Sequence, residues 1–160
     1  AGTLNNIASV YDSQGKYSDA LDFYNQSLAI KKHHFGDFHP DVAGTLNNIA
    51  IVYKAQGKYQ DALDFYKQAL SITKHHFGDN HPSVALSLWG IANVHRNNYK
   101  ELEAIDYYQQ TLEILDKFLP PNHPWIIQLL NQYSQLLIDL NKPDEAQPLL
   151  DRLDSLESSP

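Results

Sequence analysis

Apolar residues recur along this chain at helical rather than strand spacing. Val42, Leu46, Ile49, Ala50 and Tyr53 fall at i, i+4, i+7, i+8 and i+11, one face of an α-helix. Tyr59, Ala62, Leu63, Tyr66, Leu70 and Thr73 form a second stripe of the same kind. Gln56-Gly57-Lys58 separates the two, with Gly suited to a left-handed helix stop. Pro40 suits a first helical turn, where no amide donor is needed. Gly78-Asp79 then breaks the chain before the next His-Pro.

This pair of helices is one copy of a repeat. A shift of 42 residues overlays the chain on itself, and the segments 2–43 and 44–85 differ at only 10 of 42 positions. Ala20, Ala62, Ala104 and Ala146 share one register, as do Leu4, Leu46, Leu88 and Leu130. His39-Pro40, His81-Pro82 and His123-Pro124 recur at the same spacing. The period predicts first (A) helices near 2–14, 40–56, 82–98 and 124–140, and second (B) helices near 17–34, 59–76, 100–118 and 143–157. Four repeats follow, at roughly 1–39, 40–81, 82–123 and 124–160, as one array over 1–160. Pro148 removes a backbone bond and is expected to kink or loosen the last helix. Ala8, Ala50, Ala20 and Ala62 mark places where neighbouring helices approach closely, with Tyr11, Tyr24, Tyr53 and Tyr66 filling the space around them. One hairpin cannot bury both its faces, so the units are expected to stack.

Ile7-Ala8-x-x-Tyr11 followed by Ala20-x-x-x-Tyr24 resembles the tetratricopeptide repeat signature. The longer period, with Phe-Gly-Asp-x-His-Pro-x-Val-Ala and then Thr45-Leu46-Asn47-Asn48-Ile49-Ala50, resembles the kinesin-light-chain type of that repeat. The resemblance covers essentially the whole chain. It implies an all-α fold, a right-handed α-solenoid of about four stacked helix-turn-helix units. It also implies a concave surface, lined by A helices, that binds extended peptides. The Thr-Leu-Asn-Asn-Ile-Ala match carries over to Asn5, Asn6, Asn47 and Asn48. The third repeat departs from it with Ser87-Leu88-Trp89-Gly90-Ile91-Ala92, and the fourth departs further with Leu129-Leu130-Asn131-Gln132-Tyr133-Ser134.

Helix geometry leads to the same surface without the family. At 100° per residue, the face opposite the apolar stripe of 40–56 carries Gly44, Asn47, Asn48, Ile51, Lys54 and Ala55. Equivalent positions form four rows: Asn5, Asn47, Trp89, Asn131; Asn6, Asn48, Gly90, Gln132; Ser9, Ile51, Asn93, Gln135; and Asp12, Lys54, Arg96, Ile138. Asn is a poorer helix former than Glu, Lys or Gln, so its recurrence on a helix face calls for a reason. Its amide carries a donor and an acceptor that match one extended peptide unit. Purely structural bonds between helices are the plainer alternative. Trp89 offers a large anchor of the kind enriched at interface hot spots, with burial against a neighbour as the alternative. Lys54 and Arg96 offer two cations for a carboxylate.

Composition narrows the function classes. The net charge is −7 and Arg occurs only at 96 and 152, which argues against nucleic acid. The absence of Cys removes disulfides, thiolate metal sites and a Cys nucleophile, and fits a cytoplasmic location. No apolar run approaches the ~20 residues of a membrane helix. The chain has no Met even at position 1 and reads as a piece of a longer protein. The eight histidines do not suggest a metal site. His33-His34 and His75-His76 point about 100° apart on their helices, His39, His81 and His123 read as turn or cap residues, and His95 reads as a core residue in the register of Tyr11 and Tyr53. Asp19, Asp22, Asp61 and Asp64 recur at B-helix starts, where carboxylates favour the helix N-terminus. No hydrolase, zincin or phosphate-loop motif occurs, so neither an enzyme nor a cofactor is expected. The expected function is a peptide-binding adaptor or scaffold module. The alternative is a scaffold that self-associates through its terminal helices, where Leu149, Leu150, Leu153 and Leu156 are expected to lie uncovered.

Overall fold

The computed structural model describes residues 2–157. Its elements are all helical: α1 (Gly2–Ser13), α2 (Tyr17–Phe35), α3 (Pro40–Ala55), α4 (Tyr59–Phe77), α5 (Pro82–Asn97), α6 (Glu101–Phe118), α7 (Pro124–Asp139) and α8 (Pro143–Glu157). Consecutive helices pair as hairpins, α1 with α2 through α7 with α8. The chain forms two compact units of two hairpins each, Ala1–Asp79 and Asn80–Pro160.

Small residues set the separation within each hairpin. Ala8 and Ala20 are fully buried in one cluster, and Ala50, Ala62, Ala92, Ala104 and Ala146 are fully buried at the equivalent positions. Rings close the space beside them. Tyr11 stacks on Phe23 at 5.4 Å and 14°, Tyr53 on Phe65 at 5.3 Å and 15°, and His95 on Tyr107 at 5.5 Å and 8°. His95 thus takes the place of a tyrosine in a repeated ring pair. Burial raises the phenol pKa of Tyr66, which is 3% exposed. Helix α3 buries more than its sequence stripe, because α2 and α4 both pack on it. Thr45 and Val52, outside that stripe, are fully buried with it.

The helix ends recur in form from repeat to repeat. At the start of α3, α5 and α7 the preceding histidine is the N-cap, and its Nδ1 accepts a backbone N–H two residues on. The distances are 3.2 Å for His39 from Asp41, 3.1 Å for His81 from Ser83 and 3.2 Å for His123 from Trp125. The imidazole thereby takes the role usually given to Ser, Thr, Asp or Asn, and Pro at the next position loses no bond. Between A and B helices the chain reverses through a left-handed residue. Lys16 N–H reaches the Tyr11 carbonyl at 2.9 Å and Lys58 N–H the Tyr53 carbonyl at 2.9 Å, spanning Gly15 at φ 71 and Gly57 at φ 73. The third and fourth repeats keep the bond but not the glycine. Tyr99 at φ 55 and Asn141 at φ 56 occupy that position, where Asn is tolerated and Tyr is strained.

Helix α8 continues through Pro148 rather than breaking there. Pro148 has no N–H to donate to the Asp144 carbonyl, and both residues are exposed. Arg152 ties α8 to α6 through a two-pronged bond to Asp116, at 2.8 and 2.6 Å. This hydrogen-bonded pairing raises the guanidinium pKa against a smaller desolvation effect.

Two substitutions probe these ends. Tyr99 is 87% exposed, so Tyr99→Gly gives up little contact while relieving the left-handed strain. It is expected to stabilise the chain by about 1 kcal/mol in urea unfolding. His123→Ala is expected to cost about 1 kcal/mol in the same assay through loss of the cap, and His123→Asn to recover most of it.

Candidate functional site: the polar faces of the A helices

In the first unit the polar rows of α1 and α3 divide into engaged and open positions. Asn5 is half-buried, and its Nδ2 donates to Thr45 Oγ1 at 3.3 Å. The same hydroxyl accepts from Lys31 Nζ at 2.9 Å and donates to the Asp41 carbonyl at 3.3 Å. Lys31 also reaches that carbonyl at 3.1 Å, which ties α2 to the first turn of α3. Burial lowers the Lys31 pKa, and Asp41 offsets part of the effect. Asn5 therefore joins helices. Asn47 is half-buried and also engaged.

Lys54 and Asp12 lie in one row and interact. Desolvation lowers the lysine pKa and raises the carboxyl pKa, and each charge opposes the other's shift. Asn6 is exposed and Asn48 half-exposed, with no hydrogen bond to another described side chain or backbone group. Ile51, 41% exposed, lies one turn from Asn48 on the same helix.

The second unit closes most of its rows internally. Trp89 is 8% exposed, and its Nε1 donates to Gln132 Oε1 at 2.7 Å, from α5 to α7. Of the two readings of Trp89, burial against a neighbour matches this packing, because α7 supplies both cover and an acceptor. Asn93 Oδ1 accepts from the Tyr108 hydroxyl at 2.6 Å. Burial raises the Tyr108 pKa, and Arg96 works against that rise. Arg96 is 3.8 Å from Asp139, whose other oxygen accepts from Gln135 Nε2 at 2.8 Å. Asn131 donates to the Ile127 carbonyl of its own helix at 2.9 Å and is otherwise exposed.

Neither predicted cation is therefore unopposed, since Lys54 faces Asp12 and Arg96 faces Asp139. Sequence reasoning passed over Asp139 and Tyr108. Asp139 lies one position beyond the Ile138 row, and Tyr108 belongs to a B helix outside the rows altogether. Arg96 and Asn93 reach across the register to find them. The open amides of the A-helix faces thus lie in the first unit, at Asn6 and Asn48, with the exposed apolar Ile51 one turn from Asn48. Among the described residues no group of three or more His, Asp or Glu is placed to hold a metal ion, and no helix is long and apolar enough to cross a membrane.

Comparisons with known proteins agree with this architecture. The family model described as tetratricopeptide repeat matches residues 1–75, 41–101 and 83–153. Among solved structures the chain is similar to BtubC (BKLC) from P. vanneervenii, with a TM-score of 0.86, 20% identity and coverage of 98% of this chain and 63% of that one. It is also similar to a singly substituted form of a putative kinesin light chain from Podospora anserina with nearly identical repeats, with a TM-score of 0.84, 22% identity and coverage of 98% and 74%. A second structure of that protein gives 0.74, 23%, 98% and 74%. The chain thus spans less than two thirds of BtubC, and at these identities the likeness is one of fold. No curated protein sequence matches the chain. With family matches that together run over nearly its whole length, the chain belongs to the tetratricopeptide repeat family.

Proposed function

We propose that this chain is an adaptor or scaffold module that binds an extended segment of a partner protein on its A-helix faces. Repeats of this family generally serve protein–protein interaction. The observation that carries the finer reading is that Asn6 and Asn48 of the first unit keep open amides, with no internal partner, and that Ile51 lies exposed one turn from Asn48 on the same helix. An amide presents a donor and an acceptor to a peptide unit, and Ile51 receives an apolar side chain. Asn5, through Thr45, and Lys54, through Asp12, link α1 to α3. In the second unit Asn93, Arg96, Asn131, Gln132 and Gln135 are each held by an internal partner, Gln132 by the buried Trp89. A cytoplasmic setting accords with the cysteine-free composition.

Selection of a random peptide library on the chain tests this. A motif is expected to enrich on the parent and to be lost on Asn48→Ala with Ile51→Ser, both at surface positions that leave the helical circular dichroism unchanged. Equal enrichment on the variant, or none on the parent, removes the proposed site. Trp89→Ala is not a usable control, since truncating a buried Trp costs about 3–5 kcal/mol.

A second reading, self-association, rests on a separate observation. Ile7 is 36% and Val10 54% exposed on α1, whereas their equivalents Ile49, Val52, Ile91 and Val94 are fully buried. The opposite end is better covered than its sequence suggests. Leu153 is 8% exposed, and Leu149, Leu150 and Leu156 are half-buried. Association through α1 is expected to raise the sedimentation mass with concentration, and Ile7→Glu with Val10→Glu to abolish the rise. A monomer at every concentration rejects this reading.

A further inference from the structure

A cavity of about 380 Å³ opens in the first unit, away from the polar rows of the A helices. Its floor is apolar, made by Val42 and Leu46 of α3 and Ile72 of α4, all buried. Its rim carries no net charge. Lys32, at the end of α2, pairs with Asp37 of the following loop at 3.1 Å. Gln68 and Ser71 stand on the exposed side of α4 three residues apart, which puts an amide and a hydroxyl side by side at the edge.

The remaining rim residue is Phe38, 65% exposed, with its ring 5.9 Å from that of His75. The next repeat treats this place differently. Asn80 stands at the position of Phe38 and Lys117 at that of His75, and the two join by a 3.0 Å hydrogen bond. The loop is therefore stable with a polar closure, and local folding does not call for an exposed phenylalanine beside an apolar cavity.

We propose that this cavity binds an uncharged aromatic side chain of a partner peptide. The volume lies at the small end of ligand sites, ~300–1,000 Å³, which suits one ring and a short length of peptide. The ring rests on Val42, Leu46 and Ile72, and Phe38 contacts its edge or face in the offset geometry that aromatic pairs prefer. The neutralised Lys32–Asp37 pair offers no free charge to select an ionic group. Gln68 and Ser71 supply a donor and acceptors for the peptide unit that carries the ring. The site shares no residue with the A-helix groove, so each stands or falls alone.

The test is titration of the isotope-labelled chain with N-acetyl-phenylalanine N-methylamide, followed by amide chemical shifts. Saturable shifts are expected at Phe38, Gln68 and Ser71, and none with the alanine analogue. Phe38→Asn copies the second repeat and is expected to fold, with binding weakened about tenfold by loss of the ring contact. Ser71→Lys, at an exposed helix position, is a second variant and is expected to weaken binding by obstructing the rim. Absence of saturation overturns the proposal, as does unchanged affinity in both variants. Equal affinity for toluene also overturns it, because the peptide unit then contributes nothing. Shifts confined to Asn6, Asn48 and Ile51 overturn it too, while leaving the A-helix groove standing.

Discussion

Two helices lie close together only where no side chain holds them apart, and every hairpin of this chain meets that condition in the same register. Ala8 faces into one cluster with Ala20, and the same positions recur as Ala50 and Ala62, then Ala92 and Ala104, all without exposed surface. In the fourth hairpin Ser134, 3% exposed, replaces the first alanine of the pair opposite Ala146. The ring pairs beside the alanines, the buried tyrosines and the turn geometry all depend on that separation. A larger group at any of these positions would drive packed side chains from their preferred rotamers.

Given that separation, the chain ends each helix with an economical set of contacts. A histidine ring nitrogen caps α3, α5 and α7, proline follows it, and a left-handed residue turns each A helix into its B helix. The later repeats tolerate Tyr99 and Asn141 at the turn because the bond across it is kept, at 2.9 Å and 2.8 Å. Sequence drift in the third and fourth repeats therefore changes local strain and leaves the path of the chain intact. Rigid hairpins of this sort suit a surface that presents fixed side chains to a partner with little ordering cost at the moment of binding.

The polar faces show how far a pattern in one helix can predict function. Asn recurs at 5, 6, 47 and 48, yet Asn5 works between helices and only Asn6 and Asn48 keep open amides. A repeated residue type need not have a repeated role, because the partner that satisfies it changes. Asn93 bonds a buried tyrosine, and Trp89 bonds Gln132 where the first unit has asparagines.

Helix count, boundaries and pairing were legible in the chain itself, and so was the capping role of the histidines. Each follows from short-range rules: the 3.6-residue period, the missing donor of proline and the left-handed preference of glycine. The placement of Ala20, Ala62 and their equivalents at close contacts also followed, since no other residue type recurs there. Tertiary structure alone decided which polar groups were left free. Asp139, Tyr108 and Gln132 reach Arg96, Asn93 and Trp89 from other helices and across the register. Their meeting depends on side-chain length and the approach of neighbouring helices, and neither is written in the periodicity of one helix. The cavity beside Phe38 arises for the same reason, because its walls come from three helices and a loop that only packing brings together.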